Sequence, residues 1–161
     1  MIRSTCDEVY NYLEMLNYDN FLIEIGGELR SYQSNIETNW IVGIQNPEDN
    51  QLIKKIKLNN MSMATSGTYN NYFTHNNIKY SHIINPKTGY PIEYRRVSAT
   101  IISNKCIDAD AYATISMLLP INNLLELVNN TNSVECYILE LNSEGILEEY
   151  MSNSFKNYII Y

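Results

Sequence analysis

Residues 81–91 read SHIINPKTGYP, and no other stretch constrains the fold as strongly. Two of the four prolines and one of the six glycines fall here, with one of the two histidines. Pro86 and Gly89 bracket a Lys-Thr pair. Proline fixes φ and removes a donor, and glycine opens the left-handed region, so the chain turns here and cannot run on as helix or strand interior. His82 stands just ahead of the turn, at the end of an apolar-alternating run, so the turn sets its direction. An imidazole held at a strand end beside a rigid loop is well placed for proton transfer near neutral pH. A surface histidine before a hairpin gives the same pattern.

The 161 residues suffice for one domain with a sizeable core. A formal net charge of −7 and the lack of a basic stripe argue against a nucleic-acid partner. An anionic ligand would meet repulsion unless a metal ion or local donors offset it. Cys6, Cys106 and Cys136 are far apart in sequence, odd in number and form no C-x-x-C, which argues against a disulfide framework or a zinc site. Cys106 and Cys136 are expected in or near the core as small apolar groups. No stretch approaches 18 apolar residues, and the start MIRSTCDEVYNYL lacks the apolar region of a signal peptide. On that basis the chain is expected to stay where it is made.

Taken in order, residues 6–16 carry Val9, Leu13 and Leu16 at helical spacing, with Asp7 and Glu8 at the N-terminal end. Residues 21–25 (FLIEI) predict a short buried strand closed by Gly26-Gly27, where the backbone can turn sharply or approach a ligand. Residues 40–44 predict a second strand. Residues 52–58 alternate apolar groups with lysine and predict a half-exposed strand whose lysines guard an edge. A further strand is expected at 61–65, with a break at Ser66-Gly67, and then the hairpin that delivers Tyr80, Ser81 and His82. Residues 97–102 are β-branched and apolar, as in a buried strand. Residues 108–119 predict an alanine-rich helix packed closely on a sheet, ended by Pro120, with a second helix over 121–128. Residues 135–141 and 146–151 predict a hairpin around Asn142-Ser143-Glu144-Gly145, and 155–161 is expected to pack back on the sheet. Strands outnumber helices and arrive in runs, so the expected class is α+β with a largely antiparallel sheet and packed helices.

Two further motifs carry candidate chemistry. In DADAYAT (108–114), Asp110 and Thr114 lie one helical turn apart on one face. A carboxylate and a hydroxyl are hard oxygen ligands of the kind Mg²⁺ takes, alongside waters and substrate phosphates. Helix capping by Asp108, with Asp110 facing the dipole and Thr114 exposed, accounts for the same residues. Thr65-Ser66-Gly67-Thr68 offers a small-residue break whose N–H groups and hydroxyls could meet an anion, or a plain turn.

Taken together, EIGGE (24–28), WIVGIQNP (40–47), ATSGTYNNYF (64–73), SHIINPKTGYP (81–91) and DADAYAT (108–114) resemble the ApbE family in the same order, and EYMSNSF (149–155) resembles its closing segment. The resemblance runs from about Val9 to the C-terminus. It implies a Mg²⁺-dependent FAD:protein FMN transferase, which splits FAD, releases AMP and attaches FMN through its phosphate to a Thr or Ser of an acceptor flavoprotein, often a subunit of a redox-driven ion pump. It implies that His82 lies at the reactive phosphate, that Asp110 and Thr114 are metal ligands, and that Gly26, Gly27 and Glu28 lie near the flavin nucleotide. Ile84 and Thr88 then fall in the loop flanking the bound cofactor.

The chain also departs from the family pattern. Asn85 stands where many relatives have Asp, which keeps the hydrogen-bonding shape and drops the charge. Thr68 stands where relatives commonly carry an acidic residue after Ser-Gly. Family members have a further N-terminal half with flavin-pocket residues and part of the metal site, and its closing alanine-lysine-glycine run is replaced here by Met1-Ile2-Arg3-Ser4-Thr5. The chain is thus expected to be the C-terminal portion of a single ApbE-like domain, apparently truncated. It would act as a catalytic half completed by a separate chain, or persist as an inactive or merely FAD-binding remnant. Relatives are exported or membrane-anchored, so the resemblance leaves the location of this chain open.

Overall fold

The computed structural model describes residues 4–35, 39–46, 49–68, 72–75, 78–81, 83–92 and 96–161. The elements in order are α1 (Thr5–Met15), β1 (Asn20–Ile25), β2 (Glu28–Gln33), β3 (Ile41–Gln45), β4 (Leu52–Lys57), β5 (Ser62–Gly67), β6 (Tyr72–His75) and β7 (Ile78–Ser81). There follow β8 (Arg96–Ser103), α2 (Cys106–Ser116), α3 (Ile121–Asn129), β9 (Val134–Leu141), β10 (Leu147–Met151), a 3-10 turn (Phe155–Tyr158) and β11 (Ile159–Ile160). One sheet has six strands in the order β1-β2-β5-β8-β9-β10, with every neighbour antiparallel. A second has the order β11-β4-β3, and β6 and β7 form a hairpin. The α+β, largely antiparallel class read from the sequence is the class observed.

The central strand β8 is buried at all eight positions, because both faces of the sheet are covered there. On one face Ala99 and Ile101, with Cys136 and Ile138 of β9, meet Ala109 and Ala113 of α2 and Leu124 and Val128 of α3. Alanines at the helix–sheet contact let α2 lie close to the strands. On the other face Val97, Ile102, Tyr137 and Leu139 meet Ile44, Ile56 and Leu58 of the three-stranded side, together with Phe155. A third cluster joins Cys6 of α1, Ile23 of β1 and Cys106 of α2. The result is three layers: helices, the six-stranded sheet, and the small sheet. Among the described residues, no helix is long and apolar enough to cross a membrane.

Four local expectations change. β1 is an outer strand with only Ile23 buried, so its apolar run is half-exposed rather than buried. β4 is not an edge, because β11 pairs Ile159 with Ile56 and Ile160 with Lys55. Ser66-Gly67 is no break, since β5 stays in register with β8 through Gly67 and Ser98. Helix α2 begins at Cys106, which puts Asp108 inside the first turn rather than at the cap.

Candidate active site along helix α2

Helix α2 is held at both ends by side chains from elsewhere in the chain. At its N-terminus no residue of its own caps it. Asp7 of α1 does so instead: Oδ1 accepts from the Cys106 N–H at 3.0 Å and Oδ2 from the Ile107 N–H at 3.1 Å. A carboxylate there satisfies two of the otherwise unpaired helix donors and faces the positive end of the dipole. Arg30 of β2 donates to Asp7 in turn, and its guanidinium stacks 3.8 Å from the Tyr10 ring centroid. At the other end Arg96 donates to the carbonyls of Ser116 and Leu119, where a cation suits the dipole. Glu140 of β9 balances Arg96, accepting from Nε at 3.0 Å and Nη2 at 2.6 Å.

This frame presents one open face. Cys106, Ala109, Ala113 and Ser116 are buried against the sheet, while Asp110 and Thr114 are exposed. They stand one turn apart, about 6 Å along the axis. Their donor set fits Mg²⁺ in kind: two hard oxygens open to solvent leave room for waters and substrate oxygens in a six-fold shell. Asp110 belongs to no cluster of three His, Cys, Asp or Glu ligands among the described residues. Further ligands would be carbonyls, water or substrate.

The glycine hairpin lies at the N-terminal end of α2. Gly26 and Gly27 have φ of +65° and +93°, and Ile25 pairs with Glu28 across them. Two consecutive positive φ values make a two-residue hairpin turn of the kind that matches sheet twist, and glycine adopts both without strain. Both glycines are exposed with open space around them. Glu28 is turned away from solvent: it is half-buried and accepts from the Ser4 hydroxyl at 2.6 Å. Its carboxylate, Cys6 Sγ and Cys106 Sγ all lie within 4.8 Å of one another.

The proline-glycine loop lies at the other end. His82 falls outside the described residues, but both neighbours are fixed. Ser81 is buried in β7, and its Oγ accepts from the Ile83 N–H at 3.1 Å. Ile83 and Ile92 pack on the helix-side core. Between them the loop is tied by its own polar groups. Asn85 Oδ1 accepts from the Lys87 N–H at 2.9 Å, and its carbonyl accepts from Thr88 and Gly89 at 3.2 and 2.8 Å. The Tyr90 N–H donates to Thr88 Oγ1 at 3.3 Å, and Ile84 bridges to Pro91. Asn85 thus keeps a side-chain turn that aspartate would also form, and the lost charge plays no part in it. Ile84 and Thr88 are exposed. Asn85, Thr88, Pro91 and Ile92 line a cleft of about 310 Å³ that Arg96, Met117 and Glu140 close from the helix side.

Sequence-predicted residues therefore spread along α2 rather than gather at one point. Gly26, Gly27 and Glu28 lie at its start, Asp110 and Thr114 along its open face, and Ile84 and Thr88 beyond its end. The Thr65–Thr68 motif does not join them. Thr65 Oγ1 pairs with Thr100 Oγ1 at 2.9 Å. Thr68 is fully buried, with its N–H on the Val97 carbonyl and its hydroxyl on the Arg96 carbonyl. Sequence reasoning missed Asp7 and Arg96, which hold the helix. Asp7 looks like any first-turn acid of α1, and Arg96 like a strand-end surface charge.

The family model described as "ApbE family" matches residues 4–138. The FAD:protein FMN transferase of Haemophilus influenzae is 36% identical over 154 residues, 93% of this chain and 44% of that protein. That of Vibrio cholerae is 35% identical over 95% of this chain and 46% of its own length. Among solved structures, the flavin transferase ApbE of Vibrio cholerae superposes with a TM-score of 0.77 at 32% identity, over 95% of this chain and 48% of that one. The ApbE protein of Thermotoga maritima gives 0.82 at 25% identity, over 97% and 50%. The chain spans about half the length of the relatives it matches. With its motifs in order and its fold shared, this chain belongs to the ApbE family.

Proposed function

We propose that this chain forms the catalytic half of an FAD:protein FMN transferase and that its residues 1–161 are the C-terminal portion of a single such domain. The supporting observation is helix α2, anchored by Asp7 and Arg96, with Asp110 and Thr114 on its open face between the glycine hairpin and the Asn85–Thr88 loop. An extended dinucleotide can lie along such a row.

In this reading Asp110 and Thr114 hold Mg²⁺ with part of its shell. Bound there, the ion supplies charge neutralisation and Lewis acidity at the FAD diphosphate. This meets the repulsion expected from a net charge of −7. The exposed glycine hairpin and Ile84 and Thr88 flank the nucleotide. His82 takes the proton from the acceptor Thr or Ser hydroxyl, whose own pKa is far too high for ionisation at neutral pH. The hydroxyl oxygen bonds to the FMN phosphorus, the bond to the AMP phosphate oxygen breaks, and AMP departs. The acceptor is a flavoprotein, of the kind found as subunits of redox-driven pumps or reductases.

The test uses FAD, Mg²⁺ and an acceptor carrying a Ser/Thr-Gly-Ala-Thr site. The chain is supplied alone and together with the N-terminal half of a relative, and the acceptor is weighed for covalent FMN. Transfer with AMP release is expected in at least one arm, abolished by His82→Ala. No transfer in either arm would contradict the reading, and transfer unaffected by His82→Ala would remove the base assignment alone.

A further inference from the structure

We propose that Cys6, Glu28 and Cys106 form a second metal site, separate from Asp110 and Thr114, that takes a borderline-soft divalent cation of the zinc type. The two thiols are 100 positions apart in sequence, and α1 packing against β2 and the start of α2 brings them together. Their sulfurs and the Glu28 carboxylate lie within 4.8 Å of one another. Two sulfurs on one tetrahedral zinc, with bonds of about 2.3 Å, sit about 3.8 Å apart, so a small contraction closes the set. Two thiolates and a carboxylate select zinc-like ions over Mg²⁺, which prefers oxygen alone.

The surroundings carry the assignment further. Cys6 donates weakly to the Glu28 carbonyl at 3.4 Å, and Cys106 to the Leu29 carbonyl at 3.3 Å. Binding exchanges these two weak contacts for two metal–thiolate bonds. Ser62 is fully buried, and its hydroxyl has no well-formed hydrogen bond. It lies against Cys106, so a metal-bound thiolate there would give this hydroxyl an acceptor. Ser4 donates to the Glu28 carboxylate at 2.6 Å and so orients it, and water would complete a four-fold shell. Asp7 is not a ligand here, since both its oxygens cap α2.

The site has a structural role. It would staple α1, the β1–β2 hairpin and the N-terminus of α2 at the point where Asp7 already sets that helix. The inference does not depend on flavin transfer.

The test is native mass spectrometry of the 161-residue chain, prepared under reducing conditions, stripped with a chelator and given one equivalent of Zn²⁺. One ion per chain is expected, with X-ray absorption showing two sulfurs at about 2.3 Å and lighter atoms completing the shell. Cys106→Ser should weaken binding on the order of a hundredfold and Glu28→Gln on the order of tenfold, while Cys136→Ser binds as the native chain does. Zinc should also raise the native Tm and leave that of Cys106→Ser unchanged. No retained ion, a shell of nitrogen and oxygen only, or only a Cys6–Cys106 disulfide formed in air would each overturn the proposal. The absorption measurement needs no variant, so poor folding of a mutant does not shield it.

Discussion

Helix α2 and the loop over residues 83–92 both carry candidate site residues, yet they are held in opposite ways. The loop is fixed by groups within itself: Asn85 binds Lys87, Thr88, Gly89 and Tyr90, and Ile83 binds Ile92. Its shape is written in its own sequence. The helix is fixed by Asp7, about 100 residues earlier, and by Arg96, which is balanced by Glu140 from another strand. Its placement exists only in the folded chain. The loop can therefore fail locally, whereas the helix can fail only with much of the fold.

The contrast is broken most directly at Arg96. Arg96→Met leaves Glu140 without its partner and the α2 carbonyls without a donor, in surroundings where both charges are largely buried. A loss of about 3–5 kcal/mol is expected, read as a lower urea midpoint with an unchanged slope. Asp7→Ala should cost somewhat less, about 2–4 kcal/mol, by removing a two-donor cap and freeing Arg30. Hydrogen exchange should show the Cys106 and Ile107 amides losing protection first. Equal stability in either variant would mean that α2 does not depend on distant anchors.

Alkali sharpens the same contrast. Burial holds Cys6 above its usual range, pushes Cys106 well above it, and pushes Cys136 up to about 11 from 9.0. A raised folded pKa gives stability that is complete below the unfolded value and disappears as pH climbs through the folded one. These thiols should thus leave stability unchanged below about pH 9 and lower it steadily from 9 to 11 in the chelator-stripped chain, with Cys136→Ala flattening part of that slope. The loop contains none of these thiols, and its amide protection should change only when the whole chain opens. The smallest effects lie in the loop: Asn85→Ala should cost about 1 kcal/mol, while Asn85→Asp, which keeps the turn acceptor, should be within about 0.5 kcal/mol of native.

Much of the architecture was readable because apolar runs reported burial. β8, β9, α2 and α3 announce themselves through Val97–Ile102, Ile138–Leu139, the alanines and the Leu124/Val128 pair. β2 was missed for a physical reason: its inward side chains include Ser31 and Gln33, so buried polarity hides the alternation. The break expected at Ser66-Gly67 failed because antiparallel pairing to β8 outweighs the weak strand propensity of glycine. At the site, the Asp110–Thr114 spacing and the Asn85 turn follow from local rules. The Asp7 cap and the Cys6–Cys106 approach do not, because no local rule joins positions separated by most of the chain.

In the proposed function, α2 offers Asp110 and Thr114 as metal-binding oxygens for the transfer of FMN. Measuring FMN transfer against Mg²⁺ concentration for the native chain and Asp110→Asn, each with the N-terminal half of a relative supplied, tests it most directly. Asp110 is exposed, so the amide should leave the urea midpoint unchanged. For Asp110→Asn a rate lower on the order of a hundredfold is expected, with a Mg²⁺ dependence shifted to higher concentration. A native rate with a native Mg²⁺ dependence would contradict it.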